Sequence, residues 1–324
     1  MSHVTHSQVE CFDLPEYAEP GAVYRLLPKK PDPVYYQGRT DRNIGWITRA
    51  EQELLRSKVI GIAGCGGMGG ALASVFVRLG IGEVRIADNE VFDVSNINRQ
   101  AAATRRTVGI SKALATCRMI REITDDTTLV VYPAGICEAS VSSFVAGCDV
   151  ICDEIEFWAV AARILLHQHG RAANVPLFNC NTVGFSTRLF LFTAESQTME
   201  ARLGLNYPEA LELEGRLRAQ TATAEERLRV MEAVIEGLVP ELPEYCGGDP
   251  NYRTVPTVKA RLLSEGRASI IATNPPMATG FLADHVLLYL LRGSGISRDV
   301  IRPPATPGYL IFDAATFSAQ VRPG

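Results

Sequence analysis

Lys58–Val59–Ile60–Gly61–Ile62–Ala63–Gly64–Cys65–Gly66–Gly67–Met68–Gly69–Gly70 is the stretch on which the fold turns. Its first six residues form a short apolar run with β-branched side chains, which reads as a buried strand. The glycines that follow keep a G-x-G-x-x-G spacing at Gly64, Gly66 and Gly69. Ala71 to Leu79 then reads as an amphipathic helix, closed by Gly80 at C′. Such a strand–turn–helix unit aims the free N–H groups and the positive dipole end of the helix at the turn, where phosphate oxygens can be bound. Gly64, Gly66, Gly67 and Gly69 are therefore candidate nucleotide-binding residues. A second strand, Glu83 to Ala87, ends at Asp88, nineteen residues past Gly69. There an acidic side chain can accept from a ribose hydroxyl, which a glycine turn that merely packs a helix on a sheet would not need.

Outward from this unit the alternation continues. Ser111–Ile123, Ser140–Ala146 and Trp158–Ala172 read as helices, and Thr128–Val131, Asp149–Asp153 and Pro176–Asn181 as strands. Strands and helices in turn predict βαβ units: an α/β, Rossmann-like, mostly parallel sheet with helices on both faces. Ser186–Thr193 alternates more strictly, which suits an antiparallel extension. Upstream, Thr48 and Glu51 make a capping box that opens a short helix to Arg56. Residues 1–45, rich in prolines and polar groups, are expected to be an N-terminal arm contacting a partner subunit. Residues 46–194 form the nucleotide-binding core. Residues 195–267 are expected to be a helical insertion of two or three exposed helices with a mobile Pro- and Gly-rich loop from Pro240 to Gly266. Residues 268–324 return to the core through a helix that begins at Asn274–Pro275–Pro276. Its apolar stripe, Ala278, Leu282, Val286 and Tyr289, reads as core or dimer surface.

Bulk properties narrow the partners. A formal net charge of −4 over 324 residues offers no global attraction for nucleic acid. The eight cysteines include no C-x-x-C pair, so no structural zinc is expected. His167 and His169, two apart on a helix, face different sides and are not a metal pair. The N-terminus has no apolar signal core, and Met277–Leu291 is too short and too polar at Asp284 and His285 to span a bilayer. A cytoplasmic protein without membrane contact is the expectation.

Two enzyme classes use such a glycine turn: a nicotinamide-dependent oxidoreductase and a nucleotide-adenylating enzyme. The link after Asp88 runs Asn89–Glu90–Val91–Phe92–Asp93–Val94–Ser95–Asn96–Ile97–Asn98–Arg99–Gln100, then Val108–Gly109–Ile110–Ser111–Lys112. An oxidoreductase has no obvious use for it. An adenylating site does, because Arg99 and Lys112 can stabilise charge developing during attack at an α-phosphorus.

With S-N-x-x-R-Q followed by V-G-x-x-K, the chain resembles the ThiF/MoeB/HesA family, relatives of the ubiquitin-activating enzymes. The likeness covers about residues 39 to 193, and Ala268 to Gly293 more loosely. It implies a homodimer using ATP and Mg²⁺ to adenylate a carboxylate with release of pyrophosphate. Asn96, Arg99 and Lys112 would contact ribose and phosphates. Arg39–Thr40–Asp41–Arg42 matches an R-x-x-R whose second arginine, Arg42 here, reaches the partner's site. Magnesium would fall to Glu156, with Asp153 as the fallback. The zinc pairs and cysteine of the sulfur-transferring members have no match. Cys180 lies in an apolar strand and reads as inert, so Cys246 is the better candidate nucleophile. The implied substrate is a peptide, a ubiquitin-like protein or a small-molecule carboxylate. A non-catalytic subunit of a heteromeric activating enzyme is the alternative outside enzymes.

Overall fold

The computed structural model describes residues 8–11, 14–28, 32–246, 261–294 and 300–324. Within the stretch expected as an arm, β1 (Gln8–Cys11) and β2 (Val23–Leu26) join the edge of the sheet. Asp32 then caps α1 (Pro33–Thr40) by accepting from the Val34 and Tyr35 N–H groups. The Thr48–Glu51 capping box is present at the start of α2 (Arg49–Arg56). The core follows as β3 (Val59–Ala63), α3 (Gly69–Leu79), β4 (Glu83–Ala87), α4 (Lys112–Ile123), β5 (Thr128–Tyr132), α5 (Val141–Val145), β6 (Val150–Asp153), α6 (Val160–Ala172) and β7 (Leu177–Val183). β8 (Ser186–Phe192) turns back antiparallel, as its alternation predicts.

One ten-stranded sheet has the order β1-β2-β5-β4-β3-β6-β7-β8, continued by two C-terminal strands, β9 (Tyr309–Asp313) and β10 (Ser318–Arg322). β5, β4, β3, β6 and β7 are mutually parallel; β2 and β8 flank them antiparallel. The chain moves from β3 through β4 and β5 on one side, then crosses to β6 and β7 on the other. The order therefore reverses between β3 and β6, where an open α/β sheet leaves a crevice beyond its strand ends.

Period-two alternation sorts the two faces. Ile60, Ile62, Val84 and Ile86 pack with Leu72 and Phe76 of α3, Leu114 of α4, and Ala278 and Leu282 of a late helix. Ala63, Val130 and Ile151 face the other way, onto Phe144 and Ile164 of α5 and α6. Three helices of the insertion extend that second layer: α7 (Met199–Leu203), α8 (Tyr207–Arg218) and α9 (Ala224–Leu238). The late helix, α10 (Asn274–Leu290), buries Ala278, Leu282 and Val286 completely, so the apolar stripe is core. The loop expected from Pro240 to Gly266 lies partly outside the described residues, at 247–260. Among the described residues, no helix is long and apolar enough to cross a membrane.

Candidate functional site

The glycine turn sits at the C-terminal end of β3, beside that crevice. Gly64 has φ +99°, a left-handed conformation, and a Cβ there would stand 2.1 Å from the Glu154 carbonyl oxygen. A Cβ on Gly69 would stand 1.8 Å from the Gly64 carbonyl oxygen, so the helix can approach the strand only without one. Gly67 abuts Pro275 at the start of α10. Gly66 differs, because the nearest atom to a Cβ there is the Gln100 Nε2 at 3.9 Å. Gly64, Gly67 and Gly69 thus satisfy packing, and Gly66 leaves open space.

Asp88 is buried, and both its oxygens accept from main chain: Oδ2 from Cys65 N–H at 2.6 Å, Oδ1 from Glu90 N–H at 2.8 Å. Desolvation pushes its carboxyl above the ordinary value, while Lys112 and the two N–H donors pull the other way. The acid therefore fixes the glycine turn to the link after β4.

That link carries the predicted cations. Asn96 is buried and caps a 3-10 turn, Val94–Asn96, its Oδ1 accepting from Asp93 N–H at 3.0 Å. Arg99 packs its main chain near Gly67. Its guanidinium donates to the Ser95 carbonyl and the Asn98 Oδ1, and no carboxylate pairs with it among the described residues. Lys112 is the first residue of α4, and its Nζ meets the Glu90 Oε2 at 2.6 Å. Gln100, given no role from sequence, is buried over Gly66, and its Oε1 finds no partner among the described residues. Its signal was position: it follows Arg99 directly.

Arg42 is exposed in the 3-10 turn Asp41–Asn43. Tyr36, Arg39 and Gln52 donate to the Gly80, Val77 and Leu79 carbonyls, fastening this region to the C-terminal end of α3. Eleven residues of α3 at 1.5 Å each put about 16 Å between its ends. The structure accordingly does not bring Arg42 to the glycine turn of its own chain.

The two acids offered for magnesium have different surroundings. Asp153 ends β6 fully buried, with Oδ2 3.0 Å from Arg163 Nε and 3.0 Å from His167 Nε2. Burial pushes its carboxyl up, but Arg163 and His167 together hold it below its ordinary value. Arg163 also donates to the Ile155 carbonyl, so the pair shapes the turn after β6. Glu156, beyond that turn, opens onto a cavity of about 580 Å³. Glu90, Glu156 and Trp158 of the core line it together with Glu214, Arg218 and Arg227 of the insertion. Desolvation lifts the Glu156 carboxyl to about 7, opposed by the Trp158 N–H it accepts and aided by Glu90 and Glu214. Only Glu156 of the two acids faces this space.

That shift has a measurable sign. The folded chain holds a proton on Glu156 that the unfolded chain releases, so stability falls as pH rises from about 4.5 to about 7. Glu156→Gln is expected to gain melting temperature relative to the native chain between pH 5 and pH 8. A constant difference across that range would place the titration elsewhere.

Cys246 closes a short 3-10 turn packed against Gly184 in the β7–β8 hairpin. Desolvation pushes its thiol up, against Arg188 and with Asp313, which leaves no thiolate activation.

Comparison with known proteins puts this geometry in context. The ThiF family model matches residues 40–323. The SAMP-activating enzyme E1 of Haloferax volcanii is 30% identical over 124 residues, 38% of this chain and 45% of that protein. The sulfur carrier protein ThiS adenylyltransferase of Escherichia coli is 27% identical over 143 residues, 44% of this chain and 56% of its own length. The chain thus spans about half the length of these two curated relatives. Among solved structures, PaaA superposes with TM-score 0.60 at 16% identity, covering 91% of this chain and 84% of that one. E. coli MccB, solved with ATP, gives TM-score 0.55 at 14% identity over 88% and 70%. These likenesses extend the agreement in fold beyond the glycine turn to about nine-tenths of the chain. With a family model spanning nearly every described element, from the end of α1 to the last strand, the chain belongs to the ThiF family.

Proposed function

We propose that this protein is an ATP-dependent adenylyltransferase that activates the carboxylate of a peptide, a small protein's C-terminus or a metabolite. The observation that carries this reading is the placement of Arg99, whose main chain lies beside Gly67, and of Lys112, whose charge acts on Asp88 at the glycine turn. A bound triphosphate supplies the anion these cations would meet. The names of the relatives support it: one activates SAMP, another is an adenylyltransferase for ThiS. MccB, which shares the fold, was solved with ATP.

A substrate carboxylate oxygen attacks the α-phosphorus, the bond to the β-phosphate oxygen breaks, and pyrophosphate leaves with the electron pair. The open space at Gly66 admits the phosphates, and the first turn of α3 offers its N–H groups. Arg99 and Lys112 neutralise charge on the leaving pyrophosphate. Glu156 is a hard oxygen donor facing the cavity and fits Mg²⁺, which would supply further neutralisation of the phosphates. Arg42 would act on a second copy of the chain. Trp46, 85% exposed four residues later, is an aromatic surface such a copy would cover.

Melting temperature with Mg·ATP, ATP plus EDTA, and NAD(H) tests the reading. A ligand at a hundred times its Kd stabilises by about 2.7 kcal/mol. Mg·ATP is expected to raise the melting temperature and NAD(H) to leave it unchanged. A rise with NAD(H) alone would replace this reading with an oxidoreductase.

A further inference from the structure

We propose that Glu90 occupies, in the nucleotide-free protein, the place that an ATP phosphate takes on Lys112, so that nucleotide binding is an exchange of one anion for another. This rests on the ATP reading above and deepens it. Lys112 is only 6% exposed, while the Glu90 side chain is 48% exposed and lines the cavity. Lys112 also starts α4, where the helix dipole is positive and a buried cation needs an anion beside it. Glu90 meets that need with a 2.6 Å contact. A phosphate arriving at Lys112 therefore finds its position taken.

Of the two partners, only Glu90 is free to leave. Its carbonyl accepts the Lys112 N–H at 2.9 Å, and Val91 forms an isolated antiparallel bridge to Ser111. The main chain is thereby fixed, and rotation of the exposed side chain is enough to break the pair. The released carboxylate stays in a cavity that already holds Glu156, so two acids would share that space without the lysine. Departure is thus unfavourable unless a cation arrives with the nucleotide. Glu90 would in this way set how strongly ATP binding depends on a divalent ion.

Equilibrium binding of ATP to the full chain, in EDTA and in magnesium, tests this with Glu90→Gln and Glu90→Asp. Glu90→Gln keeps the side chain's size and removes the competing charge. It is expected to bind metal-free ATP roughly tenfold more tightly, with a smaller gain in magnesium, while its unliganded melting temperature is unchanged or lower. Glu90→Asp, with the charge kept but withdrawn by one methylene, should fall between. Tighter metal-free ATP binding without any gain in unliganded stability is what a purely structural Glu90 cannot produce. Unchanged or weaker binding of metal-free ATP by Glu90→Gln overturns the proposal. So does a loss confined to magnesium, which would make Glu90 a metal ligand. If the native chain binds no ATP under either condition, the adenylyltransferase reading fails and this inference with it.

Discussion

Replacing Lys112 with Met, or Arg99 with Ala, is expected to cut pyrophosphate release about a hundredfold to a thousandfold, the usual effect of removing one preorganised donor from developing charge. Met preserves the packing of the buried lysine stem, so the loss at 112 reports charge and not a cavity. Among the described residues Arg99 donates to Ser95 and Asn98 and pairs with no carboxylate, so removing it breaks no ion pair there. Both variants should therefore melt within a few degrees of the native protein. The assay follows pyrophosphate with any carboxylate that supports turnover by the native chain, alongside a melting curve. Near-native turnover in both variants would end the adenylyltransferase reading; loss of turnover with loss of fold would say nothing about phosphates at that residue.

The glycine turn is expected to separate into two kinds of position. Gly64→Ala forces a side chain into a left-handed conformation and against the Glu154 carbonyl, and Gly69→Ala drives one into the Gly64 carbonyl. Each should lose about 3–5 kcal/mol, in the range reserved for strain and overlap that cannot relax cheaply. In a domain of this size that is on the order of 10 °C in melting temperature. Gly66→Ala meets nothing closer than 3.9 Å and should fold normally. Its methyl would instead stand where phosphates approach, so ATP should no longer raise its melting temperature. Equal stability losses at all three positions would refute the division. A normal ATP response in Gly66→Ala would move the phosphates away from this turn.

These expectations were legible in sequence to the extent that local rules act alone. The capping box at Thr48, the strands from β3 to β8 and the helix at Ser111 follow from periodicity and caps, and the structure reproduces them within a few residues. β1, β2, β9 and β10 did not show themselves. They are four or five residues long, and their pairing depends on neighbours far along the chain. The site divides similarly. Gly64, Asp88, Arg99 and Lys112 stand out because they lie in one continuous run from the end of β3 to the start of α4. Glu90 was visible as an acid two residues past Asp88, yet its pairing with Lys112 exists only once β4 and α4 are brought together. Asp153 and Glu156 look equivalent as letters. Burial separates them, because Arg163 and His167 approach only one.

The cavity has two walls of different origin. Glu90, Glu156 and Trp158 belong to the sheet's crevice, whereas Glu214, Arg218 and Arg227 come from α8 and α9. Mutations in those two helices reshape the chamber and leave Gly64, Asp88 and Lys112 untouched. The halves are consequently open to separate selection. Descendants of one such ancestor can diverge in the wall that the insertion supplies while inheriting the same glycine turn.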